Sequence, residues 1–166
     1  MAGEGRGIAL VGFMGAGKST VGRRLAELLG WPLVDLDEAL EALYGPIEAQ
    51  ILHSGEDAFR RREASLIVAL CDGVQRILST GGGAFVDRGS RGHLERWYTT
   101  VHLAASLQTL ERRLGAGVRR RPLWDAQVAQ RYHERQPLYA SARLQVSTEG
   151  RTPEQIAGLI LQQVHP

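Results

Sequence analysis

Gly12-Phe13-Met14-Gly15-Ala16-Gly17-Lys18-Ser19 satisfies G-x-x-x-x-G-K-[ST] at every fixed position. The octet follows an apolar run, Gly7 to Phe13, that reads as a buried strand. It opens a segment, Lys18 to Leu29, in which Val21, Leu25, Leu28 and Leu29 recur at helical spacing until Gly30. Strand, glycine loop and helix, in that order, form the context in which this pattern cradles phosphate. The glycines let backbone N–H groups turn inward, and the helix N-terminus adds a favourable dipole. Gly15, Ala16, Gly17, Lys18, Ser19 and Thr20 are thus the candidate nucleotide-phosphate residues. The Lys18 ammonium reaches the terminal phosphates and the Ser19 hydroxyl ligates Mg²⁺. A dinucleotide fingerprint is rejected: Thr20 stands at its third glycine, and Lys18 lies where pyrophosphate would press on backbone.

Outward from this loop, strand and helix alternate. Strands are expected at Pro32 to Leu36, Arg76 to Thr80, Thr99 to Leu103 and Leu144 to Ser147. Helices are expected at Asp37 to Tyr44, Pro46 to His53, Glu56 to Cys71, Ser90 to Arg96 and Ser106 to Leu114. A further helix runs from Trp124 to Tyr139 with an interruption at Pro137, and a last one starts at Thr152-Pro153 with Thr152 as N-cap. Such alternation implies a parallel sheet in an α/β fold, covered by helices on both faces. Ligands of such sheets bind at the carboxyl ends of the strands. That selects the loop after Phe13, the segment Asp35 to Asp37, and the turn after Thr80.

The chain has 166 residues, consistent with one domain spanning 1–166 and a core that needs no disulfide or structural metal. Its 43% hydrophobic and 23% charged content is that of a soluble globular protein. It contains no run of eighteen apolar residues and no signal-peptide layout, so a cytoplasmic protein with no membrane partner is expected. The single cysteine, Cys71, reads as a small buried hydrophobe, and the five histidines are scattered without metal-ligand spacing. Lysine occurs once, at Lys18, in a chain that otherwise uses arginine for every base. The exception marks a place where a compact ammonium on a flexible stem serves and a planar guanidinium does not.

Beyond the phosphate loop, four features carry chemistry. Asp35 and Asp37 share a side if the strand continues through both; one can support a metal's water and the other accept a proton from a hydroxyl. The alternative is a strand end followed by an N-cap aspartate. Arg60, Arg61 and Arg62 are consecutive on a helix and cannot share one face, so one is expected inward and two solvated. Gly81-Gly82-Gly83 follows the third strand and leaves room for a ligand against backbone, or else is a plain turn. Arg119-Arg120-Arg121-Pro122, beside Gly115 and Gly117, reads as a lid of about 115–124 carrying a cation onto the transferred group. Together with Arg135, these arginines suit a small anionic co-substrate, because a guanidinium grips carboxylate in bidentate fashion. A nucleic-acid patch is disfavoured: the bases are dispersed, balanced by acid and not interleaved with aromatics.

From about Ile8 to the last helix the chain resembles the shikimate kinases. The segments LVGFMGAGKSTVGRRLAELLG, VDLD, GEDAFRRREA, STGGGA, RRPL and ERQPLY stand in that family's order and at about its spacing. The resemblance implies a five-stranded parallel sheet in order 2-3-1-4-5, with a substrate-binding region at about 37–64 and a mobile lid. It implies transfer of the γ-phosphoryl of ATP to the 3-hydroxyl of shikimate, with Mg²⁺, by a monomer whose partners are those two small molecules. By this likeness Lys18 and Ser19 hold phosphates and Mg²⁺, and Asp35 supports the metal shell through water. Asp37 binds the hydroxyl as the base. Arg60 and Arg135 grip the carboxylate, Gly81 to Gly83 line the ring, Arg121 is the lid arginine, and Arg113 stacks on adenine. The segment Gly45 to Leu52 departs from the family: it is one residue shorter, lacks a serine, and has Ile51 where an aromatic usually stands.

Two other readings are compatible with the loop. One is a P-loop kinase for another hydroxylated acid such as gluconate, or for a nucleoside monophosphate. The other is a nucleotide switch. A guanine switch needs N-K-x-D, which a chain whose only lysine is Lys18 does not contain.

Overall fold

Gly7–Val11 (β1) is buried along its whole length, as an apolar strand with neighbours on both sides must be. The structure is a computed structural model that describes residues 6–115 and 126–164. Around β1 lie Leu33–Asp35 (β2), Ile77–Ser79 (β3), Tyr98–Ala104 (β4) and Leu144–Ser147 (β5), in the order β2-β3-β1-β4-β5. Every pairing is parallel. This is the expected fold class and strand order.

Eight helices link the strands among the described residues: Lys18–Leu29 (α1), Leu36–Tyr44 (α2), Ile47–Ser54 (α3), Glu56–Leu70 (α4), Arg88–Trp97 (α5), Leu107–Gly115 (α6), Val128–Tyr139 (α7) and Pro153–Val164 (α8). None is long and apolar enough to cross a membrane. α1 packs against α8 and α4 against α5, and one core cluster runs from Ile8 to Ile160. α2 enters it only through Leu36: Leu40 of α2 and Phe59 of α4 are buried outside that cluster, and Leu43 and Leu52 are 63% and 81% exposed.

Local signals account for the helix ends. α1 closes on Gly30 in the left-handed conformation, at φ 67°. α8 opens with a capping box: Thr152 Oγ1 accepts from Gln155 N at 3.2 Å, and Gln155 Oε1 accepts from Thr152 N at 2.9 Å. Two expectations change. The expected interruption at Pro137 does not occur, and α7 runs on to Tyr139 as a helix. The proline sits in its last turn, and the burial of Arg135 and Tyr139 on either side holds the segment in place. The segment from Trp124 to Gln127 does not form the start of that helix as far as it falls among the described residues, because α7 begins at Val128.

Register brings the three expected ligand-binding ends together. Asp35 is opposite Ser79, and Ser79 is opposite Leu10 on β1, two residues before the glycine loop. The phosphate loop, Asp35 and the glycine triplet therefore share one edge of the sheet, although dozens of residues separate them in sequence.

Candidate active site

The glycine loop turns through left-handed backbone at Gly15 (φ 84°) and Gly17 (φ 93°), conformations that only glycine adopts without strain. Gly17 is the N-cap of α1, and no side chain caps that helix. Its first-turn N–H groups are left to a ligand. Lys18 is buried and folds back over the loop, its Nζ donating to Gly12 O at 2.7 Å and Phe13 O at 3.0 Å.

A cavity of about 380 Å³ opens beside this loop. Residues Gly15 to Val21 form one wall. Asp35, Asp37, Ser79, Thr80, Gly81 and Gly82 form the floor and one end, while Arg113, Leu114, Arg151, Pro153 and Ile156 form the other. Arg113 is held there by its Nη2, which donates to Thr148 O at 3.2 Å and Thr148 Oγ1 at 3.1 Å. Of the basic loop expected at 115–124, only Gly115 falls among the described residues; Arg121 lies outside them.

The two aspartates divide labour differently from the strand picture. β2 ends at Asp35, so Asp37 already lies in the first turn of α2. Asp35 is itself the N-cap, accepting from Asp37 N at 3.1 Å and Glu38 N at 3.2 Å. Its other oxygen accepts a short hydrogen bond from the Ser19 hydroxyl, which also lies 3.4 Å from Ser79 Oγ. Two hydroxyls and a carboxylate converge there, a hard-oxygen set that suits Mg²⁺. Among the described residues no cluster of three histidine, cysteine or acidic side chains offers a protein cage for a metal. The ion that fits is one completed by phosphate oxygens and water.

At the other end, the glycine triplet is packed against four charged side chains. A methyl at Gly81 would lie 2.9 Å from Asp37 Oδ1 and 3.0 Å from Glu63 Oε2. One at Gly82 would lie 3.5 Å from Arg135 Nη1, and one at Gly83 only 2.6 Å from Arg60 Nη2. The triplet thus lies between the cavity and Arg60 and Arg135, which do not line it directly. Arg135 is buried on α7, stacked over Phe13 at 5.8 Å, and its Nη1 has no hydrogen-bond partner. Burial pulls its pKa below the ordinary value, against the pull of Tyr139. A buried guanidinium N–H without an acceptor is costly unless an anion completes it.

The expectation that only one of Arg60 to Arg62 points inward is corrected. Arg60 Nη1 donates to Glu63 Oε1 at 2.9 Å, while Arg62 engages the opposite side of α4 at Gln50 and Tyr44; Arg61 alone is exposed. Cys71 is half-buried at the C-cap of α4, less enclosed than expected.

Four site residues escaped the sequence reading: Glu63, Tyr139, Arg151 and Pro153. Glu63 is 2% exposed, and burial raises its pKa despite the neighbouring Arg60. Its spacing of three from Arg60 on one helix was the available signal. Tyr139 is fully buried and donates a short hydrogen bond to Gly82 O; burial pushes its pKa up to about 12. His102 stacks on it at 5.2 Å. Pro153, read only as part of a helix start, and Arg151, not singled out at all, also line the cavity. No local signal marks either of these.

A family model described as shikimate kinase matches residues 14–165. A shikimate kinase of Paramagnetospirillum magneticum is 43% identical over 156 residues, which cover 90% of this chain and 80% of that protein. The solved structure of shikimate kinase from Acinetobacter baumannii in complex with shikimate superposes with a TM-score of 0.88 at 33% identity. That match covers 96% of this chain and 92% of the other. A gluconokinase from Sinorhizobium meliloti aligns with a TM-score of 0.67 at 21% identity over 96% and 91% of the two chains, a likeness of fold alone.

Proposed function

The chain belongs to the shikimate kinase family, and from that premise we propose that it transfers the γ-phosphoryl of ATP to the 3-hydroxyl of shikimate, giving shikimate 3-phosphate and ADP. The observation that carries the reading is one continuous site. It has a phosphate loop at one end and the glycine triplet at the other, and beside Gly82 lies a buried guanidinium, Arg135, whose Nη1 lacks an acceptor.

In this reading the nucleotide phosphates rest on the N–H groups of Gly15 to Thr20, and Lys18 leaves the loop carbonyls to meet the transferred group. Its charge offsets the negative charge that spreads over the phosphoryl oxygens in the transition state. Ser19 would hold Mg²⁺, with Asp35 supporting a water of its shell, and the ion would supply positive charge that neutralises the phosphates. Asp37 accepts a hydrogen bond from the reacting hydroxyl and takes its proton as the oxygen attacks phosphorus. Arg60 and Arg135 hold the acceptor's carboxylate, and Gly81 to Gly83 allow the ring to lie against backbone. Arg113, with Pro153 opposite, receives the adenine, and Arg121 comes onto the phosphates from the lid. Transfer is then a matter of placement: two anions are held in line by cations while water is excluded. The partners are two small molecules, and the chain acts as a cytoplasmic monomer.

The test is ADP release from Mg-ATP with and without shikimate, repeated with gluconate and with nucleoside monophosphates. Stimulation by shikimate alone is expected. Stimulation by a different acceptor would reassign Asp37, Arg60 and Arg135 while leaving the phosphate loop as it stands.

A further inference from the structure

The segment that departs from the family holds a buried amide. Gln50 is 4% exposed and is the only fully buried residue of α3; Ile47 and Ile51 are half-exposed. Its Nε2 donates to Gly45 O, at the C-cap of α2, at 2.7 Å and to Leu40 O, midway along that helix, at 3.3 Å. Its Oε1 accepts from Arg62 Nη1 at 3.2 Å, on α4. The Arg62 guanidinium lies 4.7 Å over the ring of Tyr44, the last residue of α2. A buried amide is unfavourable unless bonded; here both donors and the acceptor are used.

The first turn of α2 and another face of α4 carry the acceptor site. α2 starts beside Asp37, and α4 carries Arg60 and Glu63. Asp37 and Glu63 crowd one point: a methyl at Gly81 would be 2.9 Å from one carboxylate and 3.0 Å from the other. Their like charges push α2 and α4 apart, which is one of the forces raising the Glu63 pKa. Leu36 and Leu40 of α2 and Phe59 of α4 are buried against that push, but toward the far end of α2 Leu43 and Tyr44 are exposed, as is Leu52 on α3. The bonds through Gln50 are the tie on the far side.

We propose that Gln50 is a positioning residue for the acceptor: by tying the end of α2 to Arg62 on α4, it sets the gap between Asp37 and the Arg60–Glu63 pair. The inference rests on the shikimate reading of that site and adds a determinant of how tightly the acceptor is held. Gln50 touches neither the nucleotide loop nor the cavity beside it, so its loss acts on one substrate only.

The experiment compares steady-state kinetics and melting temperatures of the native chain with Gln50→Leu, Arg62→Met and, as a control on the exposed face of the same helix, Leu52→Ala. Gln50→Leu is expected to raise the KM for shikimate between about 10- and 100-fold, the cost of a small misplacement of binding groups. The KM for ATP should stay within about twofold of native. Arg62→Met, which leaves both amide donors bonded, should raise the shikimate KM by a smaller factor, and Leu52→Ala should change neither KM. If Gln50→Leu does not fold, the Arg62→Met result decides. A shikimate KM unchanged in the folded variants overturns the proposal, as does an equal rise in both KM values. A native chain with no shikimate-stimulated ADP release instead overturns the functional reading, and this inference with it.

Discussion

Gly83 and Arg60 meet without room for a single carbon: a methyl at Gly83 would lie 2.6 Å from Arg60 Nη2. Gly83 has no left-handed backbone that would demand glycine, so its smallness serves the arginine alone. Gly83→Ala should displace the guanidinium and leave the phosphate loop intact. Loss of one charge-assisted contact to the acceptor corresponds to a rise in the shikimate KM of about 10- to 100-fold. The KM for ATP should not move. Paired titrations of the two substrates check this.

Asp35 has two tasks that substitutions can separate. One carboxylate oxygen caps α2 and the other holds Ser19. Asp35→Asn keeps a cap acceptor while removing the charge facing the metal site, so it should raise the Mg²⁺ concentration needed for half-maximal rate with little loss of stability. Asp35→Ala should do the same and also cost about 1 kcal/mol in unfolding free energy, the usual worth of a cap. Metal titrations and urea unfolding, run on both variants, distinguish the two effects.

Glu63 should make the protein less stable as pH rises. Burial holds its carboxyl above the ordinary value, so the native state binds that proton more tightly than the unfolded chain does. Native stability therefore falls as pH climbs from about 4.5 through the raised pKa. Glu63→Gln, which has no charge to bury, should melt higher than native at pH 7 and lose that advantage toward pH 4. It should also bind shikimate differently, because Arg60 loses its charged partner. A melting series across that pH range would refute the account if the advantage persists in acid.

His102 has the opposite sense. Buried against Tyr139, with Nδ1 unpartnered, it is held neutral by desolvation, with a pKa lowered to about 4. The unfolded chain takes up a proton below about 6.5 and the native state does not, so this group's contribution is fully present above pH 6.5 and lost as pH falls toward 4. His102→Asn should flatten that limb of the stability profile. The His102 imidazole resonances should show no titration between pH 5 and 8; movement in that window would contradict the burial argument.

The sequence alone determined what depends on neighbours in the chain. The phosphate loop is eight consecutive residues whose conformation follows from glycines and a helix start. α1 and β5 have the bounds that their patterns imply, and Thr152 caps α8 as its position suggests. Order within the sheet was legible through likeness to a family, and the alternation of elements already demanded a parallel sheet. What only the tertiary structure decided involves partners far apart in sequence. Register across β2, β3 and β1 sets Asp35 beside Ser79 and brings the glycine triplet to the loop. Burial sets the Glu63 carboxylate beside Gly81 and Asp37 and leaves an N–H of Arg135 unmatched. The amide of Gln50, unremarkable in a polar helix, becomes a tie because α2 and α4 close around it. The reason is the range of the forces. Backbone sterics and capping act over a few residues and can be read from a string. Desolvation and charge pairing depend on which surfaces meet, and that exists only once the chain has folded.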